Sequence, residues 1–144
     1  MLSYPAKFTP DRKAGGYVVT FPDVPDGVTE GDTVSEALDM ARDCLVTLFA
    51  VYMREGRPIP EASPLPARGH RIVRLPFAVG LKIELYSVWL KSGVRKADLA
   101  RRLGIPRANV ERLFNLRHAS RPELIEDAFR ALGKEVDLLV RDVA

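Results

Sequence analysis

Eight side chains between Lys96 and Arg121 have the types and spacing to grip a nucleic-acid duplex: Lys96, Arg107, Ala108, Asn109, Arg112, Asn115, Arg117 and Arg121. An arginine fork matches guanine O6 and N7, an asparagine amide matches adenine, and an alanine methyl suits the thymine methyl group. Lysine, arginine and asparagine flanking such readers hold phosphates, which positions a protein on DNA without specifying sequence. Arg107 and Asn109 are therefore read as the likeliest base readers, with Ala108 placed to meet a thymine methyl group and Arg112 beside them. Which of Ala108, Asn109 and Arg112 points inward depends on the docking angle. Lys96, Asn115, Arg117 and Arg121 are read as backbone contacts.

Catalytic chemistry has far fewer candidates. Cys44 is the single cysteine, so no intrachain disulfide forms, and with His70 and His118 it gives no zinc-ligand set by spacing. It is read as a core thiol, and neither metal nor cofactor is expected. A metal-dependent nuclease needs carboxylates converging from neighbouring strands. Here Asp11, Asp23 and Asp26 fall in turns, and the strand-like runs Tyr4 to Thr9 and Tyr17 to Phe21 carry none. No glycine-rich phosphate loop is present, and neither histidine has a serine or cysteine partner that spacing identifies. The chain is read as a non-enzyme. Asp23 and Asp26 read first as turn formers, and second as contacts for a basic partner surface.

Presenting the readers on one face requires two crossed helices. Leu99, Ala100, Leu103, Ile105, Val110, Leu113 and Phe114 recur at helical spacing on either side of Gly104, which ends the first helix in a left-handed conformation. This is a helix-turn-helix pattern. Flanking helices are predicted over 79–91, with Leu81, Leu85, Val88 and Trp89 as its apolar row, and over 122–132, with Pro122 in its first turn and Gly133 as its stop. The four make a small bundle.

The first half reads differently. Tyr4, Ala6 and Phe8, then Tyr17, Val19 and Phe21, alternate with a period of two, which predicts an antiparallel hairpin. A corner at 22–27 leads to a short third strand near 28–30. Thr33-Val34-Ser35-Glu36 starts a helix by reciprocal capping, and the helix ends near Gly56. Its apolar stripe is Ala37, Ala41, Cys44, Leu45, Leu48 and Tyr52, suited to covering a sheet. The 57–69 stretch, with Pro58, Pro60, Pro64 and Pro66, is an extended loop. Arg71 to Leu75 alternates like a strand and must return to the first sheet to find a partner.

The fold class is thus α+β: a small antiparallel sheet covered by one helix (1–76), followed by an all-α helix-turn-helix domain (77–144). A strand-like tail over 135–141 ends it. Such a strand needs pairing, either with its copy in a second chain, making a dimer, or on another edge. Charge divides along the same line. Residues 1–76 carry nine basic against ten acidic side chains, 77–144 carry thirteen against nine, and 91–121 carry nine against two. The cationic excess coincides with the two crossed helices, which points to nucleic acid. At 144 residues with 47% hydrophobic content the chain suits a folded protein. No apolar run nears the roughly 20 residues a membrane span needs, and no secretory leader is evident, so a cytoplasmic location is expected.

Lys96 to Asn115, with Ala100, Gly104, Val110 and Leu113 at their characteristic positions, resembles the helix-turn-helix of phage repressor and Cro-type domains. Tyr4-Pro-Ala-Lys-Phe, Gly16-Tyr-Val-Val-Thr-Phe-Pro-Asp-Val-Pro, Gly31-Asp-Thr-Val-Ser-Glu-Ala-Leu and Gly56-Arg-Pro-Ile-Pro together resemble the HicB family of antitoxins, over nearly the whole chain. The resemblance implies a partial RNase H-like N-terminal domain that neutralises a HicA-like mRNA-cleaving ribonuclease toxin. It also implies a C-terminal domain that represses the toxin-antitoxin operon, with dimers or dimers of dimers built through C-terminal strands. The toxin-contacting residues are not specified by it. From another class, a stand-alone transcription regulator with a ligand-sensing N-terminal domain uses the same helix-turn-helix.

Overall fold

The computed structural model describes residues 2–64 and 67–143. Its first half is a four-stranded antiparallel sheet built from β1 (Ser3–Pro10), β2 (Tyr17–Phe21), β3 (Val24–Gly31) and β4 (His70–Arg74), in the order β3-β2-β1-β4. The isolated alternating run after the proline-rich loop does return to the sheet, with Tyr4 opposite Val73 and Ala6 opposite Arg71. Tyr4, Ala6, Val19, Phe21, Val24 and Val73 fill the covered face. The third strand is longer than the sequence predicts. Phe21 pairs with Val24 across only Pro22 and Asp23, with a register shift at Thr20/Phe21, so the expected six-residue corner is mostly strand. Pro25 is tolerated because β3 is an edge, where a missing N–H breaks no inner ladder.

The covering helix α1 spans Val34–Arg54. Thr33 Oγ1 accepts from the Glu36 amide at 3.1 Å and the Glu36 carboxylate accepts from the Asp32 amide at 2.9 Å, so the reciprocal cap forms one residue wider than a strict capping box. Ala37, Ala41, Leu45, Phe49, Tyr52 and Met53 are buried. Cys44 and Leu48, expected in that stripe, lie at its half-buried border, and Phe49 takes the centre, 5.2 Å from the Tyr4 ring. Cys44 Sγ reaches the Val28 carbonyl at 3.8 Å, and burial pushes its thiol pKa up. Gly31 allows α1 to start close to the sheet: a Cβ there would lie 2.4 Å from the Ala37 nitrogen.

The proline-rich loop is pinned rather than free. Tyr4 donates its hydroxyl to the Pro60 carbonyl at 2.7 Å, and Ser63 donates both its amide (2.8 Å) and its hydroxyl (2.6 Å) to Asp23. Tyr52 donates to Asp26 at 2.5 Å while the Arg57 guanidinium stacks 3.9 Å over the Tyr52 ring. That bond and Arg57 hold the Asp26 carboxyl below the usual carboxylate range. Asp23 forms the turn and anchors the loop through Ser63, whereas Asp26, expected in a turn, lies within β3 and holds Tyr52 and Arg57 from the strand. Pro66, counted in this loop, lies outside the described residues.

Four helices follow: α2 (Phe77–Ser92), α3 (Lys96–Leu103), α4 (Arg107–Leu113) and α5 (Pro122–Ala131). Gly93, Gly104 and Gly133 all carry positive φ, at the ends of α2, α3 and just beyond α5. On α2 the buried set is Gly80, Lys82, Ile83, Leu85 and Tyr86, while Leu81, Val88 and Trp89 of the predicted row are half-buried. Buried side chains of the sheet, α1 and the bundle form one contiguous core, and Tyr86 crosses to the first half by donating to the Arg57 carbonyl at 2.8 Å. The tail differs from expectation. Residues 134–143 form no strand in the single chain, and Leu138, Leu139, Val140 and Val143 stand exposed, because the start of the tail faces Phe77, Gly80 and Leu81 of α2 across a cleft, where a helix offers no ladder to join. Among the described residues no helix is long and apolar enough to cross a membrane.

Candidate nucleic-acid interface

The candidate site is the outer face of α4, and its geometry begins at the turn from α3. Gly104 adopts φ +66°, which lets the Ile105 amide donate back to the Ala100 carbonyl at 3.1 Å and sends the chain directly into Pro106 and α4. Leu99, Ala100, Val110 and Leu113 bury the facing sides of the two helices. Ile105 and Leu103 are half-buried at the rim. A helix of seven residues has almost no stability of its own, so its orientation comes from what it packs on.

One such support escaped the sequence reading. Lys82 of α2 is 2% exposed, and its ammonium donates to three carbonyls: Arg112 at 2.9 Å, Asn115 at 2.8 Å and His118 at 2.6 Å. These close the C-terminal end of α4 and the bend that follows, where helix carbonyls otherwise lack donors. Three N–H groups meet three acceptors, so the buried charge is fully hydrogen-bonded. Desolvation nonetheless pushes its pKa down to about 8. The signal was present in spacing: Lys82 precedes Tyr86 by one helical turn, on the same row as Leu85 and Trp89.

Arg107, Ala108 and Arg112 stand exposed together on the outer face of α4, as a duplex reader requires. Asn109, expected as a leading reader, is instead half-buried, and its Oδ1 accepts from Arg112 Nη1 at 3.0 Å, so it orients a neighbour. Lys96 is turned inward: its ammonium lies 3.0 Å from Glu111 and 5.5 and 5.8 Å from the Trp89 and Phe114 ring centres, with a quarter of its side chain exposed. Trp89 Nε1 is buried in that aromatic group without a hydrogen-bond partner. Asn115 Oδ1 accepts from the Arg117 amide at 3.0 Å, and Arg117 Nη2 reaches Thr47 of α1 at 3.4 Å. Arg121 is exposed at the start of α5. Of the remaining arginines, Arg95 and Arg101 pair with Asp98, and Arg102 donates to the Ala131 carbonyl at 3.0 Å. Among the described residues no group of three or more His, Cys, Asp or Glu is placed to hold a metal ion.

Residues 3–84 match the family described as HicB-like antitoxin of bacterial toxin-antitoxin systems. The match extends beyond that segment in whole-chain relatives. Antitoxin HicB of Escherichia coli strain K12 is 40% identical over 139 residues, covering 96% of this chain and 99% of that one. Antitoxin HicB of Pseudomonas fluorescens is 36% identical over 129 residues, covering 90% and 88%. A chain from a solved toxin-antitoxin complex of Streptococcus pneumoniae covers 76% of this chain and 93% of itself at 20% identity, with a TM-score of 0.45, too loose a likeness to bear on the fold. The chain belongs to the HicB family of antitoxins.

Proposed function

We propose that this chain neutralises a HicA-like mRNA-cleaving ribonuclease through residues 1–76 and represses its own operon by binding operator DNA through a helix-turn-helix within 77–144. The observation that carries the DNA half is the free outer face of α4, where Arg107, Ala108 and Arg112 lie exposed together. In this reading Arg107 and Arg112 contact base edges and Ala108 a thymine methyl group, with Asn109 holding Arg112 in position. Asn115, Arg117 and Arg121 face phosphates, and Lys96 acts mainly by fixing α3 to α4 through Glu111. Family membership supports the toxin half. The protein acts in the cytoplasm, where operon and mRNA are both found.

The exposed tail completes the picture. Leu138, Leu139 and Val140 form a strand against the same segment of a second chain, and the two-fold dimer so formed matches a palindromic operator, singly or as a dimer of dimers. Deleting residues 136–144 should lower the mass seen by light scattering and weaken binding to a palindromic site. Equal masses for the two proteins would refute strand pairing.

A ligand-sensing regulator remains the competing reading, and one observation favours it. A cavity of about 500 Å³ lies between β1, the proline-rich loop and α2, lined by Tyr4, Ile59, Pro60, Ile83 and Glu84 among others. Co-expression with the adjacent open reading frame separates the two. A small basic partner that co-purifies and is silenced by this chain supports the antitoxin reading; an unrelated neighbour that stays unbound sinks it.

A further inference from the structure

A cleft of about 360 Å³ separates α1 from the α3–α4 unit, and its walls are cationic in a way that neither half explains alone. Arg54 contributes from the last turn of α1, Lys96 from the first turn of α3, and Arg117 from the segment after α4. Ala50, Met53, Phe114 and Leu116 form its apolar floor, and Glu111 is its one carboxylate. That carboxylate is already neutralised by Lys96 at 3.0 Å. Glu55, beside Arg54 in sequence, pairs instead with Arg57 at 3.3 Å. Among the described residues no carboxylate pairs with Arg54 or Arg117.

The two arginines enter the cleft from different elements, Arg54 from α1 and Arg117 from the segment after α4. Thr47, Ala50 and Arg54 follow one another at helical spacing along α1, on a row turned away from the sheet, whose side is taken by Ala41, Leu45 and Phe49. Arg117 reaches Thr47 at one end of that row, and Arg54 stands at the other. Two guanidiniums sharing a cleft without a counter-charge repel each other, and an anion entering between them removes that cost. A phosphate oxygen group suits guanidinium forks in particular. The cleft is also continuous with the proposed reading face: Arg107, Glu111 and Asn115 succeed one another by one turn, and the last two line the cleft.

We propose that Arg54 and Arg117 bracket one backbone phosphate of the same duplex that α4 reads, so that the toxin-neutralising half touches DNA directly and is clamped against the reading half when DNA is bound. This rests on the DNA-binding reading above. A bound phosphate fixes α1 relative to α4, which ties the position of the toxin-binding unit to operator occupancy.

Salt dependence tests it, because each neutralised phosphate adds roughly 0.9 to the slope of log affinity against log salt. Fluorescence anisotropy with an operator duplex, from 50 to 300 mM KCl, compares the wild-type chain with Arg54→Met, which keeps an apolar stem, and Arg54→Lys. Arg54→Met should reduce the slope by up to about 0.9 and weaken binding roughly fivefold to tenfold at 0.1 M salt, equally for operator and base-substituted duplexes. Arg54→Lys should recover most of the slope. Wild-type binding with an unchanged slope in Arg54→Met overturns the clamp and leaves the reading face intact. A wild-type chain that binds no operator removes the reading and the clamp together. Because Arg54 is exposed, circular dichroism should show the variant folded; if it is not, Arg54→Gln carries the same expectation and the same refutation.

Discussion

Replacing Arg107 and Arg112 together with alanine should weaken operator binding by about a hundredfold or more while leaving toxin binding within twofold. Each arginine fork on a base edge contributes about 1 to 3 kcal/mol of discrimination, so two account for roughly 3 kcal/mol even at modest geometry. Both side chains are exposed and neither supports the core, so their loss should leave folding unchanged. Asn109→Ala is expected to cost less, because its contact is to Arg112 at 3.0 Å and not to solvent-facing space. In the background of Arg112→Ala it should cost almost nothing further, a coupling that a double-mutant cycle reads directly. Mobility shift with operator DNA and co-purification with the toxin measure the two activities separately. Loss of both in a folded double variant would refute the division of labour between the halves.

Much of the architecture was legible because it follows from local rules. Period-two alternation placed three of the four strands, reciprocal capping placed the start of α1, and Gly104 placed the turn between α3 and α4. The return of β4 to the sheet followed from the cost of an unpaired strand. The misses share a cause: they depend on which neighbours a residue meets in space. Lys82 was not singled out in the sequence because its three acceptors come from 30 to 36 residues away. Lys96 looked like a phosphate contact because Glu111 and the Trp89 and Phe114 rings reach it only through folding. Phe49 outranked Cys44 and Leu48 because it continues the row Ala37, Ala41 and Leu45 at a spacing of four, and the sheet meets that row at its centre. The tail could be recognised as strand-like, but pairing is a property of the assembly and not of one chain.

Lys82→Met should destabilise the protein by about 3 kcal/mol and lower the melting temperature by roughly 6 to 12 °C. The methionine keeps the volume and removes the donor, leaving the Arg112, Asn115 and His118 carbonyls without the ammonium that closes the end of α4. Operator binding should fall more than toxin binding, since the bend carrying Asn115 and Arg117 loses its anchor while the sheet does not. Lys82→Arg should not rescue, because a planar guanidinium cannot direct three donors at carbonyls that converge on one point. The pH dependence separates the buried charge from simple packing. The unfolded chain keeps this proton to its ordinary value of 10.5, whereas desolvation brings the folded value down to about 8. Between those values the unfolded state binds more protons, so this group makes stability rise with pH across that window. Methionine has no proton to lose, so the gap in melting temperature between wild type and Lys82→Met should widen from pH 7.5 to pH 10. A gap that stays constant would mean that the three carbonyls hold the ammonium charged, and that α4 is fixed by a charge whose burial its hydrogen bonds fully offset.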